Sequence, residues 1–97
     1  MIRPQICELV SLGAFPISHK VNPETIRRQQ ELVEGIKSPV SDDEAKQLLS
    51  VFGPDDYFGM AWTILHLVES APSWPIEECL TNVANEWIVR LGKRAGL

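Results

Sequence analysis

Apolar side chains recur along the chain in helical stripes broken by short polar or proline-containing stretches. Ile26, Val33 and Ile36 repeat at helical intervals behind Asn22-Pro23-Glu24. Asn22 suits a cap for free N–H groups, and Pro23 suits the first helical position. A helix is predicted from Asn22 to about Lys37, weakened by Gly35 and stopped by Ser38-Pro39. Ser41-Asp42-Asp43-Glu44 spells a capping box, and Ala45, Leu48, Leu49 and Phe52 then share one face. Gly53-Pro54 ends this second helix, with Gly53 suited to a left-handed position. A third helix is predicted over Asp55–Ser70, with Asp55 and Asp56 in its first turn. Phe58, Ala61, Trp62, Leu65 and Val68 form one of its faces, and Tyr57, Met60, Ile64 and Leu67 a second. A helix apolar nearly all round belongs at the buried centre. The fourth stripe, Ile76, Leu80, Val83, Ala84, Trp87 and Leu91, predicts a helix starting near Ser73-Trp74-Pro75 and ending at Gly92.

Residues 1–21 are less patterned. Ile6, Leu9 and Val10 fit one short helix after Pro4, or an irregular segment, and Phe15-Pro16-Ile17 reads as a loop plugging an apolar patch. No stretch alternates with period two. The expected fold is all-α: a single domain over residues 1–97, a compact bundle of four to five helices. Its short connections predict antiparallel neighbours.

Composition agrees with a soluble globular chain, at 44% hydrophobic and 23% charged residues in 97. The apolar runs are too short to span a membrane, and Glu8 interrupts any signal-peptide core. Cys7 and Cys79, outside any C-x-x-C, read as packed thiols in a reducing, cytoplasmic setting. Charge changes the picture more. The net −4 conceals a balance of +1 over residues 1–41, −8 over residues 42–86 and +3 over residues 87–97. A block at −8 repels nucleic acid and anionic lipid, and attracts a basic protein. Helix-start acids that merely complement the dipole would give part of the same pattern.

Candidate chemistry is sparse. His66 and Glu69 stand three apart on a predicted helix, but they are only two ligands, and His19 lies in a separate loop; no metal site is expected. Cys79 follows Glu77 and Glu78, a poor setting for a nucleophilic thiolate. Asp42-Asp43-Glu44 and Asp55-Asp56 lack calcium-loop spacing, and no phosphate-binding or nucleophile-elbow motif occurs. The expectation is a non-enzyme without cofactors. The residues marked for partner binding are Asp42, Asp43, Glu44, Asp55, Asp56, Tyr57, Trp74, Glu77 and Glu78. Trp62 and Trp87 fall on core faces. Trp74, between two prolines, reads either as a staple on the last helix or as an exposed anchor.

The stretch Leu48–Pro75, LLSVFGPDDYFGMAWTILHLVESAPSWP, is similar to one unit of HEAT-type repeats: a short helix, a Gly-Pro-Asp turn and a longer helix. That resemblance implies a helix pair. In size, acidity and helicity the chain also resembles bacterial immunity proteins, which neutralise a cognate toxin domain. That resemblance implies a cognate toxin domain as partner; the −8 block is complementary to a basic one, especially a nuclease, with acidic side chains occupying the positions of phosphates. A helical adaptor for some other protein is the alternative.

Overall fold

The computed structural model describes residues 2–80 and 84–96, with the side chains of His19 and Glu78 outside that set. Among the described residues the chain forms α1 (Pro4–Ser11), α2 (Pro23–Gly35), α3 (Asp42–Leu48), α4 (Met60–Glu69) and α5 (Glu86–Arg94), and no strand. Single 3₁₀ turns cover Ser18–Lys20, Leu49–Val51 and Glu77–Cys79. The fold is an all-α bundle. Helix α1 packs on α2 and α3, α4 packs on α3 and α2, and α5 packs on α4.

Local chemistry starts the helices where the sequence carries caps. The Asn22 side chain accepts from the Thr25 N–H at 2.8 Å, opening α2. The Ser41 capping box is complete: the Glu44 N–H donates to Ser41 Oγ at 3.1 Å, and the Ser41 N–H donates to Glu44 Oε1 at 2.8 Å. Helix α1 forms after Pro4 and buries Ile6 and Leu9.

Four expectations are corrected. Helix α4 starts at Met60, not Asp55, because Tyr57, Phe58 and Gly59 all take positive φ, at 46°, 59° and 85°. The left-handed region is uncommon for bulky side chains and costs on the order of 1–3 kcal/mol each. Burial offsets the cost at Tyr57, whose ring stacks on Phe15 with centroids 4.6 Å apart. Nor does Gly53 take a left-handed conformation, since the positive-φ glycines are 13, 59 and 96. It serves close approach instead: a Cβ there would lie 1.9 Å from the Phe15 carbonyl oxygen. The Phe15 N–H bonds the Val51 carbonyl at 2.9 Å, which seats the loop after α1 directly on Gly53.

The last helix is also shorter than its stripe. Asn85 caps α5 by accepting from the N–H groups of Trp87 and Ile88 at 2.9 and 3.3 Å. Residues 73–80 turn over α3 instead, where Trp74, Ile76 and Leu80 meet Ala45, Leu49 and Val68. Val83 of the predicted stripe lies outside the described residues.

Helix directions follow from contacts at their ends. The Val40 N–H donates to Ser70 Oγ at 3.0 Å, so α3 begins where α4 ends and the two are antiparallel. Helices α4 and α5 run in the same sense. Trp87 Nε1 donates to the Asp55 carbonyl at 3.1 Å near their starts, and Arg94 pairs with Glu69 at 2.7 Å at their ends. The long connection between α4 and α5 permits this, against the expectation of antiparallel neighbours throughout.

Candidate functional site

The acids of the −8 block divide between the two ends of α3. At its start, Asp42 Oδ1 accepts from the Ser73 N–H at 3.0 Å, bringing the segment after α4 against the capping box. Hydrogen bonds from Ser73, aided by nearby Lys46, hold the Asp42 carboxyl below its usual pKa. Asp43 and Glu77 are exposed and make no ion pair among the described residues. The Glu78 side chain lies outside the described residues.

Glu44 is not surface. It is 3% exposed, and its carboxylate accepts from Arg3 N–H, Nε and Nη2 at 3.0, 2.9 and 3.1 Å as well as from Ser41. The Arg3 guanidinium hydrogen bonds hold its pKa down to about 2. Arg3 donates further to the carbonyls of Lys37 and Pro39 at 2.8 and 3.1 Å. Glu44 is therefore the centre of an internal clasp joining α1 to α3, and is not available to a partner.

At the far end of α3, Asp55 is also committed inward. Its Oδ2 accepts from Ser18 N–H and Oγ at 3.1 and 2.9 Å, and its Oδ1 from the Tyr57 N–H at 2.9 Å. Only Asp56 remains exposed there. Tyr57, expected as a binding anchor, is fully buried, and its hydroxyl donates to Gln29 Oε1. Burial, with Asp55 close by, pushes the phenol pKa up. Trp74 is half-buried, packed against the core beside Ala45 of α3 and Leu49, and not on the last helix.

The Tyr57–Gln29 bond gives a direct test of this interior. Gln29 is 1% exposed, so Tyr57→Phe leaves its amide oxygen without its donor while preserving the ring. The expected loss is about 1–3 kcal/mol, the cost of an unsatisfied buried acceptor, read from urea unfolding. A loss of about zero would show that the hydroxyl holds nothing.

Comparisons with protein families, with curated proteins and with solved structures find no match to this chain. The chemistry of the surface therefore carries the argument.

A cluster that the apolar pattern hid lies along α4 and α5. Trp62, expected in the core, is 37% exposed, and Phe58 is 58% exposed. Trp87 is buried, stacked on Phe52 at 6.0 Å and edge-on to Trp62 at 5.0 Å. The Arg90 guanidinium sits over both indoles, 4.9 Å from Trp62 and 4.8 Å from Trp87, and pairs with Glu86 at 3.1 Å. The sequence did carry a signal. Thr63 and His66 share the exposed face with Trp62, and a core face would not carry them.

Among the described residues no cluster of three His, Cys, Asp or Glu side chains is placed to hold a metal ion. His66 is exposed on α4. Cys7, expected to pack, is exposed, and Cys79 is half-buried. No helix of the described residues is long and apolar enough to cross a membrane.

Proposed function

We propose that this protein is a small cytoplasmic binding protein of the immunity type, which docks on a basic toxin domain and neutralises it. The single observation carrying this reading is how the carboxylates are used. Glu8 and Glu31 pair with Arg28, Glu44 with Arg3, Glu69 with Arg94 and Glu86 with Arg90. Asp43 in the first turn of α3 and Glu77 in the turn Glu77–Cys79 stay exposed outside these pairs. These two carboxylates are the ones that offer charge to a partner.

A nuclease cleft lined with Lys and Arg is built to hold phosphates. Exposed carboxylates meet the same donors and keep the substrate out. Such charges act mainly on the encounter rate, which falls as salt screens them beyond about 8–10 Å.

The test is inhibition of a panel of basic bacterial toxin nuclease domains, with association rates measured at low and high salt. The expected result is inhibition of a cognate domain by the native chain. Asp43→Lys combined with Glu77→Lys should associate at least about tenfold more slowly at low salt, with the gap narrowing at high salt. Neither side chain has a core contact to lose, so stability should move by no more than about 0.5 kcal/mol. Binding without inhibition would favour the adaptor reading. Unchanged rates for the double variant would remove these two carboxylates from the mechanism.

A further inference from the structure

The face made by α4 and α5 has a polarity that the acidic end of α3 does not share. Its centre is aromatic: exposed Phe58 and Trp62, with Arg90 over the Trp62 indole. Tryptophan and arginine are the side chains that most often dominate protein interfaces, and phenylalanine is enriched there too. The turn before α4 holds Phe58 at a φ of 59°, its ring tilted against buried Tyr57 at 5.2 Å while most of it stays exposed.

Charge is ordered along this face. Because α4 and α5 run in the same sense, their starts bring two exposed acids to one end, Asp56 and Glu86. Asp56 lies six residues before Trp62, in the left-handed turn that precedes α4, its carbonyl accepting from the Gly59 N–H at 3.0 Å. About one turn beyond Arg90, on the other side of the centre, stands exposed Lys93, followed by Arg94, whose charge is met by Glu69 at 2.7 Å, so that Lys93 is the open cation of this end. Glu86, Val89, Arg90 and Lys93 border a shallow open depression of about 270 Å³ alongside. Negative end, aromatic centre and positive end therefore follow one another along the face.

We propose that this face is a homodimer interface, closed by a two-fold axis through Trp62 and Arg90. A two-fold rotation turns the face end for end, so the negative end of one protomer meets the positive end of its partner at both edges. A self-complementary patch is what an isologous contact requires. A partner of uniform charge would match only one end and be repelled by the other. In this arrangement Asp56 of one protomer faces Lys93 of its partner, twice per dimer, and the tryptophans meet at the centre.

Sedimentation equilibrium of the full chain, from about 1 μM to about 1 mM, reads the association directly. The expected result is a reversible monomer–dimer equilibrium whose dissociation constant rises at least about tenfold in Trp62→Ala, with the helical circular dichroism retained. The charge variants keep the test independent of folding, since Asp56 and Lys93 are both exposed. Asp56→Lys alone and Lys93→Glu alone should each weaken the dimer, because like charges then meet at both edges. An equimolar mixture of the two single variants, and the chain carrying both changes, should restore it. Asp43→Lys with Glu77→Lys should leave it unchanged. A protein that stays monomeric throughout the range overturns the proposal. So does a dimer that tolerates both single charge reversals, or one that the charge exchange fails to restore.

Discussion

Gly53→Ala is expected to leave the protein largely unfolded at room temperature. The added Cβ would lie 1.9 Å from the Phe15 carbonyl oxygen and 2.8 Å from its carbon, which are backbone atoms with no rotamer to escape through. Relief requires lifting the loop after α1 off the 3₁₀ turn at Leu49–Val51. That movement breaks the Phe15 N–H bond to Val51 and pulls the Phe15 ring from Tyr57. Phe15 is 1% exposed, and losing a large buried aromatic costs about 3–5 kcal/mol. A domain of this size has only about 5–15 kcal/mol in total. The measurement is the far-ultraviolet circular dichroism and urea midpoint of the variant. A midpoint close to that of the native chain would show that the loop has room to move.

Glu44→Ala should also destabilise the fold. It removes the reciprocal half of the capping box and the carboxylate that Arg3 grips at the junction of α1 and α3, leaving Arg3 only the Lys37 and Pro39 carbonyls. With Arg3 about a third exposed, the loss expected is that of charge-assisted hydrogen bonds, about 1.5–3 kcal/mol. The same carboxylate makes stability depend on pH. Its folded pKa of about 2 is below the ordinary glutamate value, so the folded state favours the ionised form. The contribution is fully present above about pH 4.3, the unfolded value, and is lost as pH falls from there toward about 2. It is on the order of 3 kcal/mol. Urea midpoints should fall steeply over that interval in the native chain and less steeply in Glu44→Gln, which cannot titrate. Parallel pH profiles for the two chains would contradict the assignment.

Short-range chemistry was the legible part of the sequence. The Asn22 cap and the Ser41 box each depend on neighbours within four residues, and each forms as the residues imply, while the helix at Pro4 was one of two readings the residues left open. The errors arise where distant residues compete with local pattern. Asp55-Asp56-Tyr57 reads as a helical first turn until Ser18, Phe15 and Gln29 draw the segment into a left-handed turn. The stripe from Ile76 to Leu91 looks continuous because 3.6-residue spacing survives a break, and a capped Asn85 inside it was the overlooked sign. The candidate site fared similarly. Charge segregation identified Asp43, Asp56 and Glu77 as open surface, but the same counting could not separate them from Glu44, whose partner lies 41 positions away. Trp62 was misplaced because indole hydrophobicity alone does not tell a buried ring from one lying under an arginine.

The clasp and the Phe15–Tyr57 stack also constrain the order in which the chain acquires structure as it leaves the ribosome. Helices α1 and α2 emerge first, yet the groups that fix them, Glu44 and Tyr57, are made later. Until Tyr57 has cleared the exit tunnel, Phe15 and Gln29 have no lasting partner, and the early helices form only transiently, being short for isolated helices in water. The N-terminal third is thus synthesised as an open, apolar segment that closes when the middle of the chain arrives. Synthesis slowed between codons 35 and 57 would prolong the interval in which Ile6, Leu9 and Phe15 are exposed to aggregation or to chaperones.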